Sequence, residues 1–180
     1  MPANVEIKAR AADPRRQREL AAGLSDAPPE VIPQEDFFFR APAGRLKLRV
    51  LGPRRGELIY YHREDRPDPK PSEYFIAATD SPDSLRRVLE KALGPCGTVR
   101  KVRTLYRSGR TRIHLDEVEG LGSFIELEVV LGPGEGVEKG IEEARRLSFR
   151  LGIEPGHLVD RAYVDLLGES PAEPTAGERS

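Results

Sequence analysis

The chain has 180 residues, enough for one domain whose core needs neither disulfide nor metal to hold it. Its 29 Lys and Arg against 30 Asp and Glu leave a net charge of -1, so no global charge excess points to nucleic acid or an anionic membrane. At 38% hydrophobic and 33% charged it reads as soluble and globular, and no apolar run approaches the roughly 20 residues of a membrane span.

The first ten residues, MPANVEIKAR, hold no apolar stretch resembling a secretory signal. The single cysteine, Cys96, has no intrachain partner, so the cytoplasm is the expected compartment. Three scattered histidines, His62, His114 and His157, argue against a Cys/His zinc site. A metal here is expected to have carboxylate ligands, which suit Mg²⁺ or Mn²⁺.

Strands dominate the chain. Residues Asn4 to Arg10 alternate polar and apolar at period two. Gln34 to Phe39 and Arg45 to Val50 read as a hairpin across Ala41-Pro42-Ala43-Gly44. Glu57 to Arg63, Ser72 to Thr79, Thr98 to Arg107, Thr111 to Val118 and Ser123 to Leu131 follow, mostly in hairpin succession. About eight strands so connected predict a largely antiparallel sheet.

Three helices interrupt them. Asp13-Pro14 and Ser81-Pro82 each combine a capping residue with proline at the first helical position. The first helix is expected to run to about Leu24, and the second to line Leu85, Val88, Leu89 and Ala92 along one face. The third spans about Gly136 to Leu151, with Val137, Ile141, Ala144 and Leu147 on one side. A short helix or strand is expected around Leu158 to Leu167, so the domain covers residues 1–167. Residues 168–180, rich in Pro, Glu, Ser and Gly, are expected to form a disordered tail.

The strand alternation carries the functional signal. Glu6, Lys8 and Arg10 share a face, as do Arg45, Lys47 and Arg49, Lys101 and Arg103, Arg112, His114 and Asp116, and Glu126 and Glu128; Arg63 ends its strand. The opposite faces are apolar. One face thus collects nine basic and four acidic residues. A solvated outer face is one reading. The other is a barrel whose charged face points inward, with helices over the apolar face. Such a barrel needs a charged ligand or metal to neutralise its interior. The cationic excess suits a polyphosphate, and the acids would hold divalent cations bridging it.

The ordered motifs are Asn4-Val5-Glu6-Ile7-Lys8, Arg45-Leu46-Lys47-Leu48-Arg49, Tyr61-His62-Arg63, Pro69-Lys70-Pro71-Ser72-Glu73-Tyr74, Lys101-Val102-Arg103, Thr111 to Gly122, and Phe124-Ile125-Glu126-Leu127-Glu128. In this order the chain resembles the CYTH superfamily, the triphosphate tunnel metalloenzymes, and within it the branch of class IV adenylyl cyclases. The resemblance implies an α+β fold: an eight-stranded antiparallel β-barrel forming a triphosphate tunnel, with covering helices. It implies that Lys8, Arg45, Lys47, Arg49, Arg63, Lys101, Arg103 and Arg112 hold the triphosphate. Glu6, Asp116, Glu126 and Glu128 would hold Mg²⁺ or Mn²⁺. The family's first motif is Glu-x-Glu-x-Lys, and Asn4 stands at its first acidic position. An amide oxygen can ligate Mg²⁺ but brings no charge.

The expected activity is metal-dependent conversion of ATP to cyclic AMP and pyrophosphate. Hydrolysis of ATP, tripolyphosphate or another organic triphosphate is the alternative, and non-catalytic polyphosphate or nucleotide binding a third. No residue pattern assigns a catalytic side chain. The expected partner is a nucleoside, organic or inorganic triphosphate, with neither nucleic acid nor membrane, on a monomer or homodimer. The Gly132 to Gly140 run lacks the Gly-Lys-Ser/Thr ending of a phosphate loop and reads as a hairpin exit into a helix. His114 reads as hydrogen-bonded to a neighbouring carboxylate.

Overall fold

The computed structural model describes residues 3–63 and 67–169. Eight strands close into one antiparallel barrel: β1 (Ala3–Arg10), β2 (Glu30–Phe39), β3 (Arg45–Gly52), β4 (Arg55–Arg63), β5 (Lys70–Thr79), β6 (Pro95–Ser108), β7 (Thr111–Val118) and β8 (Gly122–Val130). Around the barrel the order is β1-β5-β4-β3-β2-β6-β7-β8, with β1 pairing β8 to close the ring. Hairpins join β3 to β4, β4 to β5, β6 to β7 and β7 to β8. The expected barrel with covering helices is therefore the observed fold.

Strand bounds differ where proline misleads. The alternation suggests that β2 starts at Gln34, but it starts at Glu30 and runs through Pro33. From Glu30 to Gln34 it ladders only with β6, because β3 joins it at Glu35. A residue lacking an N–H is tolerated where one side of a strand has no ladder to donate to.

Four helices pack on the outside. In α1 (Pro14–Leu24) the Asp13 carboxylate accepts a hydrogen bond from Arg16 N at 3.0 Å, the cap its sequence predicts. α2 (Pro82–Leu93) lies over β2, β3 and β4. Its apolar line is only partly covered: Leu85 and Leu89 are half-buried, but Val88 is 62% exposed and Ala92 is also exposed. α3 (Val137–Arg150) lies against β1 and β8. Its approach is close at Gly140, where a Cβ would come within 2.7 Å of Val5 and Leu131 side-chain carbons. After a 3-10 turn at Pro155–His157, α4 (Tyr163–Glu169) packs on β6. α4 reaches past Gly168; the rest of the expected tail lies outside the described residues. Among the described residues no helix is long and apolar enough to cross a membrane.

The main core lies between barrel wall and helices. Val5, Ile7 and Ala9 of β1, Ile113 and Leu115 of β7, and Ile125, Leu127 and Val129 of β8 pack against Ala144, Leu147 and Leu151 of the α3 segment. Each such aliphatic side chain, taken from water, contributes about 1.5–3 kcal/mol. Alternation then forces their neighbours inward. The apolar faces go to the helices, and the charged faces go to the barrel interior.

Candidate functional site

The interior is a cavity of about 490 Å³. Its floor is built by the segment leading into α4. Tyr163 meets Phe124 edge-on with ring centroids 4.8 Å apart, and its hydroxyl donates to Asp116 Oδ2 at 3.2 Å. Lys8 Nζ lies 4.0 Å above the Tyr163 ring and donates to the Arg161 carbonyl at 3.1 Å. Lys70 Nζ donates to the Asp160 carbonyl at 3.3 Å, and Arg45 pairs with Asp165 at 2.8 Å. Phe38, Val99 and Phe124 complete the apolar packing around the ring.

Above the floor, two carboxylates each gather two cations. Asp116 accepts from Lys101 Nζ at 2.8 Å and from Arg103 Nε and Nη2 at 2.7 and 2.6 Å. Asp36 accepts from Lys47 Nζ at 2.9 Å and from Arg49 Nε and Nη2 at 2.8 and 2.9 Å. Both arginines use the two-pronged geometry that fits carboxylate or phosphate. Burial alone would raise the Asp36 carboxyl, but Lys47 and Arg49 together hold it well below the usual carboxylate range. Burial and the Arg49 charge bring Lys47 down to about 8. Burial and Arg103 lower Lys101 in the same way.

On β8, Glu126 Oε2 accepts from Arg103 Nη2 at 2.6 Å, and Lys8 pairs with Glu126 Oε1 at 3.3 Å. Arg112 pairs with Glu128 at 3.3 Å. His114, 3% exposed, points Nδ1 at Glu126 Oε2 and Glu128 Oε1 at 3.8 and 3.7 Å. These distances exceed those of a hydrogen bond, and Nδ1 has no hydrogen-bond partner. Burial and the Arg103 charge push the imidazole below its ordinary pKa. Burial would raise the Glu126 carboxyl, but Lys8 and then Arg103 hold it well below the usual range.

The structure thus brings Lys8, Lys47, Arg49, Lys101, Arg103 and Arg112 to the cavity wall with Glu6, Glu126 and Glu128. Arg45 turns to Asp165 beside the floor, and Asp116 stands behind Lys101 and Arg103. Arg10 leaves the interior and stacks over Phe124 at 5.0 Å. The side chain of Arg63 lies outside the described residues. Asn4 lines the cavity opposite Ser72, both at most 3% exposed. Asn4 Oδ1 and Ser72 Oγ have no hydrogen-bond partner.

Three groups were missed from sequence. Asp36 shares its strand face with Gln34 and Phe38, an alternation hidden by the run Phe37-Phe38-Phe39. Lys70 lies within the Pro69 to Tyr74 motif, for which the resemblance implies no role at that position. Tyr163 comes from a distant helix, and no periodicity points to it. The charge count shifts accordingly: eight cationic and six carboxylate side chains line the cavity among the described residues. The positive excess is smaller than the strand faces suggest because Arg10 and Arg45 are not among the lining residues and the Arg63 side chain lies outside the described residues, while Asp36 takes the place of Asp116 and Arg55 and Arg107 are balanced in sign by Glu57 and Glu30.

A closed antiparallel barrel that keeps its apolar faces outside and lines its bore with Arg, Lys and carboxylates defines the triphosphate-tunnel class of fold. The family model for the CYTH domain matches residues 2–163, and the chain belongs to that family. A curated relative from Methanocaldococcus jannaschii, named a "putative adenylate cyclase", is 26% identical over 100 residues. That match spans 55% of this chain and 57% of the relative. The Pyrococcus horikoshii protein PH1012 superposes with a TM-score of 0.77 at 21% identity, covering 91% of this chain and 98% of that one. A Hippeastrum protein described as a "putative adenylyl cyclase" with a dominant triphosphatase activity superposes with a TM-score of 0.62 at 16% identity, covering 95% and 98%.

The residues present fit a divalent cation. His114, Glu126 and Glu128 offer ligand atoms all within 4.8 Å of one another, and the buried Nδ1 lacks a partner. Among the described residues this is the one such group of His, Cys, Asp and Glu.

Proposed function

We propose that the chain is a divalent-metal-dependent enzyme acting on a triphosphate in its barrel, by the class IV adenylyl cyclase reaction. In that reaction the 3′-hydroxyl of ATP attacks the α-phosphorus and pyrophosphate leaves. The observation that carries the reading is one cavity lined both by buried two-pronged arginines, Arg49 and Arg103, and by the carboxylate cluster of Glu126 and Glu128.

Charge supports it. The lining has a net excess of two cations, whereas a triphosphate tail brings about four negative charges near neutral pH. One divalent cation supplies the difference. Bound at the carboxylates, Mg²⁺ or Mn²⁺ would neutralise phosphate charge and fix the geometry of the reacting phosphorus. Lys8, Lys47, Arg49, Lys101, Arg103 and Arg112 hold phosphate oxygens, with Arg45 and Arg63 contributing at the ends. Glu6, Glu126 and Glu128 face the metal, and Asp116 orients Lys101 and Arg103 from behind. Phosphoryl chemistry of this kind needs positioning and neutralisation more than a protein nucleophile.

Hydrolysis is the second reading. The six cations address phosphate, which both reactions share, so the same wall fits water attacking a terminal phosphorus. Incubation with ATP and Mg²⁺ or Mn²⁺, followed by product separation, decides. Cyclic AMP with pyrophosphate is expected. ADP with phosphate, or cleavage of tripolyphosphate, supports the hydrolase. Tight binding without turnover overturns both and leaves a binding module.

A further inference from the structure

We infer that His114 Nδ1 is itself a ligand of the divalent cation, completing a site with Glu126 and Glu128 that prefers Mn²⁺ or another transition cation over Mg²⁺. The inference rests on the metal-dependent reading above and specifies the ion.

The geometry begins with register. His114 on β7 pairs directly with Glu126 on β8, and Glu128 follows two residues along the same face. All three side chains therefore enter the barrel at neighbouring points. Nδ1 stands 3.8 Å from Glu126 Oε2 and 3.7 Å from Glu128 Oε1. A hydrogen bond would close to about 2.7–3.2 Å. Two donors bound to one cation at about 2.0–2.2 Å each lie farther apart, from about 3 Å at a right angle to just over 4 Å when opposed. The observed spacings fall inside that interval and outside the hydrogen-bond range.

The second observation is the nitrogen itself. His114 is 3% exposed and its Nδ1 has no hydrogen-bond partner, although two carboxylates face it. An unmet polar atom buried in such a place is costly unless a partner satisfies it. A cation between imidazole and carboxylates accounts for the arrangement.

The third is the state of Asp116, the acid that the family resemblance offers as a ligand. Its two oxygens already accept from Lys101, from both prongs of Arg103 and from Tyr163. His114, two residues earlier on the same face, stands free of such bonds and closer to the glutamates. Replacing an oxygen donor by imidazole favours Mn²⁺, Co²⁺ or Zn²⁺, since Mg²⁺ keeps to oxygen ligands.

The test uses the full chain, stripped with chelator and labelled with ¹⁵N-histidine. Mn²⁺ is added, and pulsed electron paramagnetic resonance reads nitrogen coupling to the bound ion. A ¹⁵N coupling in the labelled wild type is the expected result, and it needs no variant to fold. In parallel, Mn²⁺ and Mg²⁺ binding is titrated for wild type and His114→Gln. The variant is expected to lose about tenfold or more in Mn²⁺ affinity with little change for Mg²⁺. Bound Mn²⁺ without histidine coupling, or an unchanged Mn²⁺ to Mg²⁺ ratio in a folded variant, overturns the inference and leaves the metal-dependent reading standing. Wild-type protein that binds neither ion, with or without tripolyphosphate, overturns both.

Discussion

Arg49 and Arg103 each hold a buried carboxylate with both prongs, and that arrangement makes them testable. Charge-assisted hydrogen bonds are worth about 1.5–3 kcal/mol, so Arg49→Ala is expected to weaken tripolyphosphate binding by about tenfold to a hundredfold. Arg145→Ala, on the exposed face of α3, is expected to change it little, because water and salt screen that charge. Isothermal titration of both variants checks the contrast. Arg103→Ala carries a further cost, since it leaves buried Asp116 with Lys101 as its one cationic partner among the described ion pairs and Glu126 with less cover.

Lys47 sets a pH dependence. Its pKa falls to about 8, against 10.5 for a free lysine. The folded state therefore binds fewer protons than the unfolded chain between those values, so this group's contribution to stability rises with pH across that window. Ligand binding moves the other way, because the neutral amine attracts phosphate less. Tripolyphosphate affinity is expected to fall as pH rises through 8, by up to about tenfold per unit. Lys47→Arg should flatten that slope in titrations at successive pH values.

Glu128→Gln is expected to abolish turnover while the thermal midpoint stays within a few degrees, with excess Mn²⁺ restoring part of the activity. Among the described residues Glu128 pairs with the half-exposed Arg112 and faces His114, so the fold loses little. Glu126→Gln should also abolish turnover, but it unbalances Lys8 and Arg103 and should lower the midpoint further. Product assays with calorimetry on each variant separate the two effects.

At the scale of elements, α3 is held to the barrel at Gly140. A side chain there would strike Val5 and Leu131 at 2.7 Å. Gly140→Val is expected to destabilise by about 1–3 kcal/mol through overpacking, outweighing any gain in helix propensity. Urea denaturation measures it. The same contact explains why a glycine sits within a helix whose other inward positions are Ala144 and Leu147. α2 shows the opposite case. Its sequence pattern is amphipathic, yet Val88 stands exposed, because the helix reaches the barrel through Leu85, Leu89 and its proline end rather than along the whole stripe.

At the scale of the molecule, the strands, three helices and the sorting of charge by face were legible in the residues. Period-two alternation is a local property, and each strand displays it without reference to the others. Most wall residues, including Lys8, Lys47, Arg49, Lys101, Arg103, Glu126 and Glu128, followed from it. Alternation alone left open whether the charged face met solvent or a bore, and the family resemblance favoured the bore. Closure of β1 onto β8 decides that question, because it turns a polar face into an enclosed one. Tertiary structure also decided the floor and the partners. Tyr163 meets Asp116 across 47 positions, and Lys8 meets the Arg161 carbonyl across 153. Which carboxylate each arginine holds, and whether His114 or Asp116 faces the two glutamates, depends on strand register and on helix α4 folding under the barrel. Those are relations between distant segments, and no local pattern of residues encodes them.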